Sequence, residues 1–144
     1  MRVVLDASAL VAIVAREPSE PEAVGLLRSG GAAMVAVNLA EAIDVLLRAG
    51  HAAERVRAQL QPAIQESLAV IPLDEPLAWR AAELRAVHYH RTRSAISIAD
   101  CALIAALGEG DEAASSDAAL LRIARAEGFD IRPLPDSRGR RPRI

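Results

Sequence analysis

The fold is decided by residues 3–10, which read VVLDASAL. The first three residues are apolar, as in a short buried strand, and the residues from Ser8 to Ala15 have the composition of a helix. Asp6 lies between them, where the strand ends and the helix begins. In an α/β fold the carboxyl ends of the strands converge on one crevice, where ligands bind. The stretch therefore predicts an α/β fold with Asp6 in its functional site.

The same pattern continues along the chain, with short apolar runs separated by longer helical ones. The further predicted strands are 33–37, 67–73, 112–115 and 131–134, and the further predicted helices are 22–28, 42–48, 51–66, 75–90, 97–107 and 117–127. An interruption is expected near Pro62. Strands that alternate with helices predict a mostly parallel sheet of about four or five short strands, flanked by helices.

Composition excludes several classes of protein. The chain has 144 residues, enough for one domain, and all 17 of its basic residues are arginines. Without a lysine it cannot be a P-loop protein or a Schiff-base enzyme. Its single cysteine, Cys101, excludes an internal disulfide and is interpreted as core filler. No apolar run is long enough to span a membrane and no signal peptide is recognisable, so a cytoplasmic location is expected.

The last nine residues differ from the rest of the chain. Residues 136–144 carry four arginines among glycine and proline, namely Arg138, Arg140, Arg141 and Arg143. The segment cannot bury a core of its own, so it is predicted to be a disordered tail that follows a domain of residues 1–135. A second interpretation is an arm that contacts phosphate groups.

Three further carboxylates occupy positions comparable to that of Asp6. Glu41 follows the second predicted strand, Asp100 interrupts an apolar helix near its start, and Asp117 follows Ser115-Ser116. Two like charges about 5 Å apart repel by roughly 3 kcal/mol at an effective dielectric of about 20. A hard divalent cation, Mg²⁺ or Mn²⁺, is the simplest reason for a fold to collect them.

These segments, in this order, closely resemble a PIN-domain ribonuclease, and specifically a VapC-type toxin of a toxin–antitoxin system. The motifs are DASAL from Asp6, NLAE ending at Glu41, SIADC around Asp100, and SSD ending at Asp117, and the resemblance runs from Val3 to about Pro135. It implies that Asp6, Glu41, Asp100 and Asp117 are the metal-binding and catalytic carboxylates. Ser8 and Ser115 would support the site, although the family more often has threonine at the latter position.

The resemblance also implies an activity and partners. The expected function is a Mg²⁺- or Mn²⁺-dependent endoribonuclease that uses one or two ions and is neutralised by a VapB-like antitoxin. Homodimerisation is likewise implied. The alternative function is a PIN-like binding module, whose acidic pocket docks a basic peptide without turnover.

Simpler roles remain open for several of these residues. Asn38 is predicted to cap a helix, with Glu41 as its capping-box partner, and Asp117 is also a favourable N-cap. Ser8 could be a turn former. Asp44 is better explained by an i,i+4 salt bridge with Arg48 than by metal binding.

The low aromatic content bears on substrate recognition. Aromatic residues make up 2% of the chain, and Trp79 is expected in the core. Recognition of RNA would then depend on arginines and on RNA shape rather than on base stacking. Arg91 and Arg93, just before the SIADC motif, are candidate phosphate contacts.

Overall fold

The computed structural model describes all 144 residues, which form five strands and seven helices. The strands are β1 (Val3–Leu5), β2 (Ala32–Val35), β3 (Leu68–Ile71), β4 (Glu112–Ser115) and β5 (Asp130–Pro133). The helices are α1 (Ala7–Ala15), α2 (Glu20–Arg28), α3 (Ala36–Arg48), α4 (Ala53–Glu66), α5 (Glu75–His88), α6 (Ile98–Ala105) and α7 (Ala118–Ala126).

The five strands form one parallel sheet in the order β3-β2-β1-β4-β5. This confirms the predicted α/β fold. The first strand is central, and Leu5 pairs with Ala114 of β4. The next residues of the two strands, Asp6 and Ser115, therefore emerge side by side at the carboxyl edge of the sheet.

The sheet is buried on both faces, which explains why its central strands are apolar throughout. Val3 and Leu5 point into a core of 17 buried residues shared with α1, α2, α3 and α4. Val4 points into a second core of 16 buried residues, shared with α5, α6 and α7. Alanines at 32, 33, 113 and 114 keep the middle of the sheet thin, so helices can approach it from both sides.

The predicted boundary between the second strand and the third helix is wrong. The second strand ends at Val35 instead of residue 37, and α3 starts at Ala36, so Asn38 is inside the helix and does not cap it. The β-branched Val37 favours a strand, but packing of α3 on the core outweighs this preference. The interruption near Pro62 is also absent: α4 runs on through Pro62, with Val56 and Leu60 buried on its inner face.

Of two predictions about side-chain burial, one is wrong and the other is confirmed. Trp79 is 64% exposed on α5, so its predicted place in the core is wrong. Cys101 is fully buried in the second core, as predicted.

The arginine-rich tail has defined contacts with the domain. Arg141 forms a two-armed ion pair with Glu22 of α2 and donates to the carbonyl oxygen of Pro133 at 2.6 Å. Ile144 packs against the second core. These contacts favour an ordered tail. The predicted disorder of residues 136–144 stays a prediction that limited proteolysis would test.

None of the helices combines the length and apolar character needed to cross a membrane.

Candidate active site at the carboxyl edge of the sheet

Asp6 is the most buried of the four carboxylates, with 8% of its surface exposed. It caps α1, where its Oδ1 accepts hydrogen bonds from the amide of Ser8 at 3.1 Å and from the Ser8 hydroxyl at 2.5 Å. Its Oδ2 accepts from the hydroxyl of Ser115. Burial raises the pKa of Asp6 to about 6, although the bonds from Ser115 and Ser8 lower it, and the charge of Asp100 raises it further.

Ser115 joins two of the carboxylates. Its buried hydroxyl donates to Asp6 and accepts from the amide of Asp117 at 2.9 Å. Asp117 caps α7, with its Oδ1 accepting from the amide of Ala119 at 2.7 Å and more distantly from that of Leu120. The predicted N-cap role is therefore confirmed. Oδ2 of Asp117 has no protein donor, which leaves it available to a ligand.

Asp100 is electrostatically central to the cluster. It lies in the first turn of α6, whose N-cap Ser97 accepts a hydrogen bond from the Asp100 amide at 3.0 Å. Burial raises the pKa of Asp100 against the Ser97 hydrogen bond, and the charge of Asp117 adds to the rise. The charge of Asp100 in turn raises the pKa values of Asp6 and Glu41. Asp100 therefore interacts electrostatically with each of the other three predicted carboxylates.

Glu41 approaches the cluster from α3. Partial burial raises its pKa, and the charges of Asp100 and Asp44 raise it further. The predicted ion pair of Asp44 with Arg48 is present at 2.9 Å on the outer surface. Asp44 is therefore a surface residue whose charge still acts on the site.

Asn38, one turn before Glu41, is fully buried and connects two helices. Its Nδ2 donates to the carbonyl oxygen of Ala99 in α6 at 3.2 Å, next to Asp100. Its Oδ1 is buried without a hydrogen-bond donor. Asn38 thereby links the backbones that carry Glu41 and Asp100, a role that its predicted capping function does not anticipate.

No basic side chain neutralises the cluster. The six ion pairs of the structure all lie elsewhere, and none includes Asp6, Glu41, Asp100 or Asp117. Buried carboxylates without a cationic partner are costly, and the pKa values of Asp6, Glu41 and Asp100 are raised accordingly. The oxygen-only donor set, together with the unsatisfied Oδ1 of Asn38, fits a hard divalent cation and its waters.

The side chains do not, however, form a closed ligand cage. No group of three or more Asp, Glu, His or Cys side chains is gathered closely enough to hold an ion directly. Magnesium keeps several waters and usually takes only one or two protein carboxylates. The spacing therefore fits a hydrated ion with few direct protein ligands.

Arg91 and Arg93 lie in the exposed turn before α6, where the His90 ring accepts from the amide of Arg93 at 3.1 Å. Neither guanidinium has a protein partner. Because neither side chain is paired within the protein, both are available to contact a ligand. The turn that carries them precedes α6, the helix that contains Asp100. Their predicted role as phosphate contacts stays a prediction.

The fold is therefore a parallel α/β domain in which the four predicted carboxylates lie around Asp100 near the carboxyl edge of the sheet. The chain belongs to the PIN domain family, which matches residues 3–126. The comparison with curated protein sequences finds no significant match.

Solved structures share the fold at low sequence identity. A DNA-bound VapBC from Salmonella typhimurium is 20% identical, with a TM-score of 0.67 over 92% of this chain and 97% of that one. VapC20 from Mycobacterium tuberculosis, described as a Sarcin-Ricin loop cleaving toxin, is 20% identical, with a TM-score of 0.66 over 88% and 95%. VapBC2 from Rickettsia felis, bound to a DNA fragment from its promoter, is 16% identical, with a TM-score of 0.66 over 93% and 99%.

Proposed function

We propose that this protein is a Mg²⁺- or Mn²⁺-dependent endoribonuclease and the toxin of a VapBC-type pair. The observation that carries the proposal is the set of four carboxylates around Asp100, none of which has a basic partner; the charge of Asp100 raises the pKa values of Asp6 and Glu41, and the charge of Asp117 raises that of Asp100. Membership of the PIN domain family and the shared fold with VapC toxins support it.

Asp6 and Asp100 are proposed to hold the first ion, with Glu41 shared or acting through water. Asp117 would bind a second ion or orient the attacking water through its free Oδ2. Divalent ions supply a nucleophile that is deprotonated near neutral pH and a clamp for the charge that develops on the phosphate.

The remaining side chains position these groups. Ser8 and Ser115 together hold both oxygens of Asp6, which fixes the plane of its carboxylate. Ser115 also fixes the start of α7 and thereby the position of Asp117. The hydrogen bond from Asn38 to the carbonyl oxygen of Ala99 would help to position α3, which carries Glu41, relative to α6, which carries Asp100. These contacts reduce the reorganisation needed when the substrate phosphate arrives.

Cellular RNA is the proposed substrate, and it implies action in the cytoplasm. The three aromatic side chains offer little surface for base stacking, so arginines such as Arg91 and Arg93 would bind the RNA backbone. The description of VapC20 as a Sarcin-Ricin loop cleaving toxin makes structured RNA a reasonable first substrate to test.

A VapB-like antitoxin is the proposed partner. The solved neighbours include VapBC and FitAB complexes bound to DNA. An uncompensated carboxylate cluster would attract a basic side chain from such a partner. We also propose a homodimer, as the resemblance to VapC-type toxins implies.

The test is cleavage of total cellular RNA by partner-free protein, with manganese, with EDTA, and with the Asp100→Asn variant. Discrete fragments that disappear with EDTA and with the variant are expected. A folded protein that yields no fragments but binds a basic peptide would instead support the non-catalytic binding module.

A further inference from the structure

The C-terminal tail forms a wall of an open cleft of about 570 Å³ next to the carboxylate cluster. Its lining includes Arg140, Arg141 and Arg143 from the tail, together with Ser116 and Ala118. We call it the arginine cleft. Ser116 and Ala118 flank Asp117, so the cleft and the candidate active site are adjacent at the same edge of the sheet.

The tail is fixed by contacts that place its arginines. Asp136 closes a turn by accepting from the amides of Arg138 at 2.8 Å and Arg140 at 2.9 Å. The ion pair between Arg141 and Glu22 and the packing of Ile144 then hold the segment that follows. In the structure these contacts hold the arginines in one place, whereas an arm without such contacts would present its charges over many positions.

The cleft carries an excess of positive charge. Its lining has three arginines and one acidic residue, Asp136, and Glu22 outside the lining pairs with Arg141, so one positive charge remains in excess. Arg143 has no hydrogen-bond or ion-pair partner in the protein. The guanidinium of Arg140 contacts only the carboxylate of Asp136, at 3.2 Å, so it retains unpaired N–H groups. Guanidinium groups with free N–H donors are suited to phosphate, which they bind through two parallel hydrogen bonds.

We infer that the arginine cleft binds a backbone phosphate of the RNA strand whose neighbouring nucleotides lie at the carboxylates. This inference rests on the proposed function. The negative cluster repels the RNA backbone at the position where it must be cut, and the adjacent positive cleft offsets that repulsion. The tail thus holds the strand while the carboxylates act on it.

The experiment measures binding of a short fluorescein-labelled single-stranded RNA by fluorescence anisotropy over a range of salt concentrations. The parent protein carries Asp100→Asn to prevent cleavage, and the test variant adds Arg140→Gln and Arg143→Gln. The matched control adds Arg28→Gln and Arg125→Gln instead, which changes the net charge by the same amount. These two exposed arginines lie at the ends of α2 and α7, at the opposite edge of the sheet.

The test variant is expected to bind the RNA roughly tenfold more weakly than the parent, because it has fewer charge-assisted hydrogen bonds to phosphate. The slope of log affinity against log salt should become shallower by about 0.7 for each phosphate that the protein no longer neutralises. The control should keep the parent's slope. With Asp100 intact, the same two substitutions should raise KM for RNA and leave kcat nearly unchanged.

Equal weakening in the test and control variants would overturn the inference, because it would reflect net charge alone. Unchanged binding by the test variant would overturn it as well, as would failure of the parent to bind the RNA. Thermal stabilisation by inorganic phosphate that requires Arg140 and Arg143, with unchanged RNA binding, would assign the cleft to free phosphate instead. The proposed function fails separately, if the unmodified chain cleaves no RNA.

Discussion

At the scale of single residues, Asp6 is the group on which the candidate site depends. It ends the central strand, caps the first helix and accepts hydrogen bonds from two serine hydroxyls, yet its pKa is raised to about 6 because burial dominates. A folded-state pKa above the unfolded value means that protonated Asp6 stabilises the metal-free protein relative to the ionised form. That stabilisation is fully present below pH 3.8 and is lost as the pH rises through about 6.

Asp6→Asn should therefore stabilise the metal-free protein at pH 7, by about 1 kcal/mol, while abolishing RNA cleavage. Between pH 7 and pH 5 the unmodified metal-free protein should gain about 1 kcal/mol in its free energy of unfolding from this group, and the variant should lack that gain. Urea denaturation at both pH values, in EDTA, measures the difference. The exposed Asp130→Asn is the control, and a variant that fails to fold would show that Asp6 is structural.

The candidate site residues can be recognised in the sequence more readily than the contacts that they make. Asp6, Glu41, Asp100 and Asp117 are recognisable because each carboxylate stands beside an apolar segment, and in the structure Asp100 interacts electrostatically with each of the other three. The link from Asn38 to Ala99 is not predictable, because it joins residues 61 positions apart whose contact exists only after two helices pack.

At the scale of elements, the Asn38 link predicts a coupling between the third and sixth helices. Asn38→Ala should lower the free energy of unfolding by about 1 to 3 kcal/mol, since it removes a buried hydrogen bond and leaves a cavity. RNA cleavage should fall as well, because Glu41 and Asp100 lose their common support. Chemical denaturation and cleavage kinetics measure the two effects.

Asn38→Leu provides the comparison, because leucine fills most of the space without the amide. Cleavage should fall in both variants, while the leucine variant should be the more stable of the two. Full cleavage by a destabilised Asn38→Ala protein would mean that Asn38 serves stability alone.

A second long-range contact lies at the amino-terminal ends of the strands, and it is not evident from the sequence. Asp111, just before the fourth strand, accepts from the amide of Arg2 at 3.0 Å, from its guanidinium at 2.6 Å and from the amide of Gly108 at 2.9 Å. Although burial opposes this, these bonds and the charge of Arg2 lower the pKa of Asp111 to about 2. They tie the starts of the first and fourth strands together.

Asp111→Asn should lower the free energy of unfolding at pH 7 by about 1 to 2 kcal/mol, allowing for solvent screening of the partly exposed Arg2. Because the folded-state pKa is depressed, this contribution is present above pH 3.8 and is lost as the pH falls through about 2. Acid titration followed by circular dichroism should show a weaker dependence on pH in the variant. Asp44→Asn, at an exposed i,i+4 pair, should change stability by less than about 0.5 kcal/mol.

The existence and type of the elements are predictable from the sequence, and their boundaries are less so. All five strands and the helices between them are indicated by the alternation of short strand-like and longer helical runs, and the signal is clearest for β1 and β2, because strands buried on both faces need apolar residues throughout. The predicted boundary between the second strand and third helix is wrong, since the run from Ala32 to Val37 is apolar throughout and carries no local signal for the change. Continuity of the fourth helix through Pro62 depends on packing of its inner face, which local propensity cannot reveal.

At the scale of the whole molecule, ion binding and folding are expected to be coupled. Magnesium or manganese should raise Tm, because it binds the folded cluster and not the unfolded chain. At a free concentration about 100 times Kd, the stabilisation would be about 2.7 kcal/mol. Differential scanning fluorimetry measures the shift.

The double variant Asp6→Asn/Asp100→Asn should show no such shift, although it folds. A wild-type Tm that does not respond to millimolar magnesium or manganese would contradict a metal site.

The hydrogen bond from Ser115 to Asp6 joins positions that are 109 residues apart. During synthesis on the ribosome, the amino-terminal strand is complete long before the fourth strand exists. A nascent chain, or a product truncated before residue 115, therefore has Asp6, Glu41 and Asp100 but lacks Ser115 and Asp117. The carboxylate set is therefore complete only after residue 117 has been synthesised, so a chain truncated before that residue is expected to cleave no RNA.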